Sequence, residues 1–279
     1  MSGILYLVAT PIGNLEDITI RALNTLKNVD IIAAEDTRHT LGLLNHFEIK
    51  KPLISYYKEI EKSKSQVLIN ELLDGKNIAL VSDAGTPGIS DPGEEIVKVA
   101  IENGIQVVPI PGACALINAL IASGLATKEF EFIGFLGGTQ SEKRAKLNEL
   151  MFDTRTMIFY EAPHRIEKTI KLLYEIFGDR KACLARELTK LHETYYRDRL
   201  SKLCELKDLK GEMVLIVEGY EKLADEISED KMIEEITSLI EDGYKSKAAV
   251  NEIADKYEVS KNSLYNTYLK IRKQSDEED

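Results

Sequence analysis

Residues 82–93, with the sequence SDAGTPGISDPG, carry the groups best suited to holding a ligand. They follow the apolar run NIALV and precede EEIVKVAIENG, which has a helical pattern. Gly85 and Gly88 allow the backbone to approach a bound molecule closely, and Asp83 and Asp91 add carboxylates. A plain turn between a strand and a helix needs only about two to six residues. The length and composition therefore favour a binding loop beyond the carboxyl end of a strand.

Three other loops follow predicted strands in the first half of the chain: TPIGN (10–14), EDTRHT (35–40) and PIPGACA (109–115). Because the carboxyl ends of parallel strands meet at one edge of a sheet, all four loops are expected along that edge. Glu35, Asp36 and Arg38 place two carboxylates and a guanidinium there. Such a cluster forms a structural ion-pair network about as often as it serves catalysis, so both interpretations stay open.

The second half has two comparable corners, FYEAPHR (159–165) and RELTK (186–190). His164 opens a predicted helix, where a histidine is more often a capping or solvated residue than a catalytic one. Four other charged residues recur at these strand ends and are stronger candidates as a group: Glu161, Arg186, Glu187 and Lys190.

Composition excludes several classes of protein. The net charge of −11 argues against nonspecific coating of nucleic acid. No apolar run reaches the ~18 residues of a membrane span, and no basic leader precedes the first strand. The three cysteines are far apart and form no CxxC pair, which indicates reduced thiols in the cytoplasm. No metal-binding histidine pattern, dinucleotide fingerprint, P-loop or GxSxG occurs, so no metal is expected.

Alternating strand and helix patterns predict an α/β fold with two domains. Residues 1–125 form the first, with a parallel sheet covered on both faces, and residues 126–224 form the second. A cleft between them is a natural ligand site. The strands are predicted at 4–10, 30–37, 51–57, 77–82, 106–111, 131–136, 156–162, 181–187 and 212–220. The helices between them are predicted at 17–29, 63–75, 94–104, 112–124, 141–152, 164–177 and 198–206.

Residues 228–275 have only helical patterns. Ser228 and Ser260 are predicted N-caps, and the short link KYEVSKN makes the segment look like a helix-turn-helix module. Such a module contacts nucleic acid in some proteins and packs as a plain helical bundle in others, so both alternatives stay open.

Five blocks in this order resemble a known family: LYLVATPIGNLEDIT, AAEDTRHT, ALVSDAGTPGISDPG, IFYEAPHR and RELTK. The chain resembles the ribosomal RNA small-subunit methyltransferase I family, within the tetrapyrrole methylase superfamily, over nearly its whole length. The resemblance implies two α/β domains with S-adenosylmethionine (SAM) in the cleft between them, and a homodimer. It also implies methylation of a cytidine ribose 2′-hydroxyl in the decoding region of 16S rRNA, in the 30S subunit.

Matching motifs carry the cofactor residues of that family onto this chain. The resemblance implies that SAM is held by residues of the first domain, with two more closing from the second: Pro11, Asp83, Ala84, Gly85, Thr86, Pro87, Ile89, Ser90, Pro111, Gly112, Ala113, Tyr160 and Met213. The sequence departs from the family at PGACA (111–115), where Cys114 replaces the usual serine and leaves only a backbone contact. It also departs at GGTQ (137–140), which moves the expected RNA contact to Lys143 and Arg144.

Transfer of a methyl group to a ribose hydroxyl needs positioning and a proton acceptor. The candidates for that base are Glu35, Asp36, Glu161 and a Lys190 of lowered pKa. Arg38, Arg165 and Arg186 suit RNA phosphates, because a guanidinium binds phosphate at two points. Two other functions stay open: a SAM-dependent methyltransferase of a small molecule such as a tetrapyrrole, and a noncatalytic rRNA-binding or assembly factor.

Overall fold

The computed structural model describes residues 2–221, 229–257, 261 and 264–269. The chain divides into two compact units, Met1–Tyr220 and Glu221–Asp279. The first unit holds two five-stranded sheets, and the second holds helices. Among the described residues, no helix is long and apolar enough to cross a membrane.

The first sheet is entirely parallel, with strand order β3-β2-β4-β1-β5. Its strands are β1 (Ile4–Val8), β2 (Ile31–Ala34), β3 (Leu53–Ser55), β4 (Ile78–Val81) and β5 (Gln106–Ile110). The helices are α1 (Ile20–Asn28), α2 (Thr37–His46), α3 (Glu61–Leu73), α4 (Glu94–Glu102) and α5 (Ala115–Ser123). Every residue of β2 and β4 is buried, as expected for central strands covered on both faces. The predicted parallel sheet is confirmed.

The second sheet is mixed, with strand order β6-β7-β10-β8-β9. Its strands are β6 (Phe130–Phe135), β7 (Thr156–Glu161), β8 (Lys181–Arg186), β9 (Thr194–Arg199) and β10 (Met213–Val217). Only β6 and β7 pair in parallel. One apolar face is covered by α6 (Gln140–Leu150), α7 (Pro163–Phe177) and the short α8 (Leu200–Leu203).

Helix α5 joins the two sheets. It follows β5 of the first sheet, yet Leu116, Ala119 and Leu120 pack against the second sheet beside Cys183 and Val214. The guanidinium of Arg197 also donates to the Ala122 carbonyl, from Nε at 3.0 Å and from Nη2 at 2.7 Å. Both sheets therefore lie within one compact unit, and the domain boundary at residue 125 stays a prediction.

Two local predictions are wrong. EDTRHT is not all loop, because α2 begins at Thr37 with the Asp36 carboxylate accepting from the Arg38 backbone N–H at 2.8 Å. The helix predicted at 198–206 shrinks to α8, because residues 194–199 form the edge strand β9. Its sequence, TYYRDR, is half charged, which an edge strand tolerates and an apolar-periodicity argument misses.

The second unit contains α9 (Glu229–Glu241), α10 (Ser246–Lys256) and helical residues at 261 and 264–269. Its core is built from apolar residues of these helical segments: Ile233, Ile236, Ala249, Val250, Ile253, Ala254, Leu264 and Tyr268. The predicted helical module is thus confirmed for the described part of this unit. The predicted caps Ser228 and Ser260 lie outside the described residues.

Candidate functional site

A cavity of about 420 Å³ opens between the carboxyl end of the first sheet and the second sheet. That volume lies in the usual range for small-molecule sites. Loops after β1, β2, β4 and β5 form one side, and β6, β7, β10 and the turn after β8 form the other. The lining residues are Ile12, Glu35, Asp83, Ala84, Gly85, Thr86, Ile89, Ser90, Asp91, Cys114, Ala115, Phe135, Tyr160, Glu161, Ala162, Pro163, Leu188, Glu212, Met213 and Val214.

Hydrogen bonds between neighbouring loops fix the 82–93 loop in place. Thr10 and Gly85 exchange two backbone bonds, 2.9 Å from Thr10 N to the Gly85 carbonyl and 3.1 Å from Gly85 N to the Thr10 carbonyl. The Thr86 hydroxyl donates to the Ala113 carbonyl at 3.1 Å. Gly85 has a φ of +84°, which favours glycine. Three of the four strand-end loops are therefore joined around the predicted binding loop.

The fourth loop, EDTR, is joined through carboxylates. The backbone N–H of Asp36 donates to Asp83 Oδ1 at 3.0 Å, and the N–H of Asp83 donates to Glu35 Oε2 at 3.4 Å. These bonds place Glu35 and Asp83 side by side at the adjacent ends of β2 and β4. The predicted meeting of motifs at one sheet edge is confirmed.

Glu35, Asp83 and Asp91 form an acidic wall on the first-sheet side of the cavity. Burial raises the pKa of Asp91 to about 6, and the charge of Glu35 adds to the effect. Burial also raises the pKa of Glu35, opposed by the N–H of Asp83. No lysine or arginine is among the described residues that line the cavity. The acidic wall therefore creates a local negative field, which favours a cationic ligand.

The opposite side is aromatic and apolar around Tyr160 and Met213. The Tyr160 hydroxyl accepts from the Leu116 N–H at 3.1 Å, which ties β7 to the start of α5. Phe132 and Phe135 meet the Tyr160 ring edge-on, with centroid distances of 4.9 and 5.6 Å. Burial raises the pKa of the Tyr160 phenol. The ring is thus held in one orientation as a rigid wall for a planar or apolar group.

Glu161 lines the cavity but is fully engaged in structure. Its side chain is 0% exposed, and Oε1 accepts from the Ala162 N–H at 2.9 Å and from Arg165 Nε at 2.7 Å. Oε2 accepts from the Thr169 hydroxyl at 2.7 Å. These bonds satisfy the backbone N–H of the N-cap Ala162 and hold two side chains of α7, Arg165 and Thr169. Its role as a base stays a prediction, and its partners identify a structural role.

Lys190 has two carboxylate partners. Its Nζ lies 3.0 Å from Glu187 Oε1 and 2.9 Å from Glu212 Oε2. Partial burial alone would lower the pKa of Lys190, but the two carboxylates outweigh burial and raise it. The prediction of a lowered pKa is therefore wrong, because the partners come from the turn itself and from the residue before β10. A Cβ on Gly13 would lie 2.5 Å from Lys190 Cγ, so the lysine stem packs on the TPIGN turn.

Asp36 and Arg38 lie away from the cavity lining. They form an ion pair at 2.8 Å, and the Arg38 side chain is 90% exposed. Arg38 holds the pKa of the Asp36 carboxyl at about 2 through that pair. Asp36 is thus the N-cap of α2, which corresponds to the structural interpretation of the EDTR cluster.

Other predicted residues support the cavity or lie outside its lining. Pro11, Pro111, Gly112 and Ala113 belong to the loops behind the lining, and Pro87 borders a neighbouring groove. Arg165 is paired with Glu161, and Arg186 Nε donates to the Lys210 carbonyl. Lys143 and Arg144 lie on α6, where Arg144 pairs with Glu175.

Several lining residues are absent from the predicted site: Ile12, Asp91, Cys114, Ala115, Phe135, Ala162, Pro163, Leu188, Glu212 and Val214. Asp91 has a signal in the sequence, since it lies in the glycine-rich loop. Cys114 packs against the apolar cluster around α5, as its neighbours suggest, and also reaches the cavity. Phe135, Leu188 and Glu212 line the cavity because of the strand order of the second sheet, which the sequence pattern does not reveal.

Solved structures of other proteins share this fold. Diphthine synthase superposes with a TM-score of 0.60 and 17% identity, over 78% of this chain and 90% of that one. Uroporphyrin-III-C-methyltransferase from Thermus thermophilus superposes with a TM-score of 0.57 and 20% identity, over 77% of this chain and 94% of that one. At identities this low, the superpositions show the fold alone. They confirm the predicted α/β fold.

Sequence relatives are much more similar. The chain is 48% identical to ribosomal RNA small subunit methyltransferase I of Haemophilus influenzae, over 95% of this chain and 96% of that protein. It is 47% identical to the protein of the same name from Halalkalibacterium halodurans, over 95% and 94%. The sequence model of the Tetrapyrrole (Corrin/Porphyrin) Methylases matches residues 4–204. The chain therefore belongs to the tetrapyrrole methylase family, in the group of its ribosomal RNA small subunit methyltransferase I relatives.

Proposed function

We propose that this chain transfers a methyl group from SAM to the 2′-hydroxyl of a cytidine in the decoding region of 16S rRNA, in the 30S subunit. The observation that carries the proposal is the cavity with the acidic wall, in a chain that is 46–48% identical to several proteins named for ribosomal RNA methylation. The acceptor atom and the nucleotide are what the resemblance to this family implies.

The cavity suits SAM chemically. SAM carries a positive sulfonium and an ammonium group, and the acidic wall offers three carboxylates with no lining lysine or arginine among the described residues. The Gly85 turn brings the backbone of the loop to the cavity, and the Tyr160 and Met213 side offers an apolar surface for an adenine ring. SAM would be held by the 82–90 loop, Tyr160 and Met213. Bound SAM supplies a methyl group already activated by its positive sulfur.

A ribose hydroxyl is a weak acid, so its oxygen attacks faster when a carboxylate accepts its proton. Glu35 is the best placed of the four candidates. It lines the cavity, burial raises its pKa, and its hydrogen bond from the Asp83 N–H is long, at 3.4 Å. Glu161 is already engaged by three donors, Lys190 is held as an ammonium, and Asp36 caps α2. We assign the proton acceptor to Glu35.

RNA would reach this edge of the sheet through exposed cations. Arg38 lies on the first turn of α2, two residues after Asp36, and its guanidinium is exposed beyond the pair with Asp36 and suits a phosphate. Lys143 and Arg144 on α6, with Arg165 and Arg186 on the second-sheet side, are further phosphate contacts in this proposal. The protein is expected to act as a homodimer, and both alternatives for the helical second unit, RNA contact and a plain helical bundle, stay open.

The test is transfer of labelled methyl from SAM to 30S subunits prepared from a strain that lacks the enzyme. Label in 16S rRNA that is released as 2′-O-methylcytidine after nuclease digestion supports the proposal. Naked 16S rRNA and a porphyrinoid are tested in parallel. Transfer only to the porphyrinoid favours small-molecule methylation. Binding to 30S subunits without transfer to any acceptor favours a noncatalytic assembly factor.

A further inference from the structure

Glu61 reaches from α3 to the far end of the 82–93 loop. Its Oε1 accepts from the backbone N–H of Gly93 at 2.9 Å and from the N–H of Glu95 at 3.3 Å. Gly93 is the N-cap of α4, and Glu95 lies in the first turn of that helix. The carboxylate therefore joins the start of α3 to the point where the loop becomes α4.

The first turn of a helix has backbone N–H groups with no partner inside the helix, and the N-cap side chain usually accepts from them. Gly93 has no side chain to offer. Its φ is +149°, and a Cβ there would lie 3.1 Å from Gly88 N and 3.2 Å from Leu80 Cδ2. Glycine is therefore required at this corner, and the capping carboxylate has to come from elsewhere in the chain. Glu61 supplies it, with a negative charge at the positive end of α4.

A buried network holds Glu61 in this position. The Tyr56 hydroxyl donates to Glu61 Oε1 at 3.1 Å and lies 2.9 Å from the Ser65 hydroxyl. Tyr56 is 0% exposed and Ser65 is 2% exposed. Because the Tyr56 hydroxyl donates its only proton to Glu61, the Ser65 hydroxyl donates to Tyr56. The end of β3, the start of α3 and the end of the loop are thus connected through one carboxylate oxygen.

We propose that Glu61 is a positioning residue that sets the geometry of the 82–93 loop and thereby the affinity for the methyl donor. The inference rests on the proposed function, because the loop lines the SAM cavity. Glu61 is absent from the cavity lining, so it acts through Gly93 and the loop residues before it. Without it, the N-terminal amides of α4 lose their acceptor and the exit of the loop loses its fixed position.

The test compares Glu61→Ala and Glu61→Gln with wild type. Loss of a cap costs a free energy that corresponds to about a five- to tenfold change in an equilibrium constant. We expect Glu61→Ala to weaken SAM binding, measured by calorimetry, by roughly that factor. KM for SAM should rise equally, with kcat at saturating SAM nearly unchanged. Glu61→Gln keeps an acceptor oxygen and should restore most of the affinity.

Glu71→Ala is the matched control, because Glu71 lies on the same helix and its carboxylate pairs with Lys76, away from the loop. It should bind SAM like wild type. Hydrogen exchange of the Gly93 and Glu95 amides should accelerate in Glu61→Ala and not in the control. Should Glu61→Ala fail to fold, Tyr56→Phe removes the hydroxyl that orients Glu61, together with its bond to Ser65, and leaves the Glu61 carboxylate in place. It should raise KM for SAM to a smaller extent.

Unchanged SAM affinity in a folded Glu61→Ala protein, or in Tyr56→Phe where Glu61→Ala does not fold, overturns the inference and leaves the proposed function intact. Failure of the wild-type protein to bind SAM overturns the proposed function instead. The two failures are distinct because SAM binding is measured without rRNA.

Discussion

Carboxylates lie near strand ends on both sides of the cavity, but their surroundings differ. Among the described residues, they lack a cationic partner on the first-sheet side and have one on the second-sheet side. On the first-sheet side, Glu35 and Asp91 have raised pKa values because they are buried without a lining cation. On the second-sheet side, a hydrogen bond from the Glu212 N–H lowers the pKa of Glu187, and a smaller contribution comes from the hydrogen bond of Lys190. Glu161 is likewise paired, with Arg165. Carboxylates at strand ends therefore stabilise the fold on one side and remain available for chemistry on the other.

The largest expected effect is on turnover, from Glu35→Gln. General base catalysis contributes about 10²–10⁴-fold, and the amide cannot accept the proton. We expect kcat for methylation of 30S subunits to fall by about that factor, with SAM binding weakened far less. Glu212→Gln, on the paired side of the cavity, is the control and should change kcat by less than about fivefold. Equal losses in the two variants would remove the distinction between the two sides.

The next effect is on stability, from Glu161→Ala. The substitution leaves Arg165, Thr169 and the Ala162 N–H without their acceptor. Loss of charged hydrogen bonds in a buried site costs about 2–4 kcal/mol. We expect the free energy of unfolding in urea to fall by that amount. Glu161→Gln keeps an acceptor oxygen, so its free energy of unfolding should fall by less. A Glu161→Ala protein as stable as wild type would show that the second-sheet side is not held by this carboxylate.

A smaller effect concerns pH, through Asp91. Its pKa is about 6 in the folded protein, above the ordinary carboxyl value of about 4. The folded state therefore binds the proton more tightly, and Asp91 makes stability fall as pH rises from about 4 to about 6. We expect Asp91→Asn to remove this part of the pH dependence and to be more stable than wild type at pH ~7. Thermal melting of both proteins across that pH range measures the difference. Melting temperatures that change with pH in the same way in both proteins would contradict the raised pKa of Asp91.

Much of the first-sheet side follows from sequence. Continuous apolar strands such as β2 and β4 indicate a parallel sheet, and parallel strands end at one edge, so the four loops had to meet. Local spacing does not reveal partners that are distant in the chain. Lys190 is held by Glu212, 22 residues away, and Gly93 is capped by Glu61, 32 residues away. The antiparallel pairing of β9 and the burial of Asp91 likewise depend on tertiary packing that no motif carries.

The acidic wall is proposed to hold a positively charged methyl donor. The most direct measurement is the ratio of the dissociation constants of SAM and S-adenosylhomocysteine, which lacks the sulfonium charge, for wild type and for a Glu35→Gln/Asp91→Asn double variant. Removing two nearby charges in a partly buried site should reduce the relative preference for SAM by about tenfold or more. Weaker binding of SAM alone, with S-adenosylhomocysteine little changed, is the predicted result. An unchanged ratio would show that the acidic wall does not recognise the sulfonium charge.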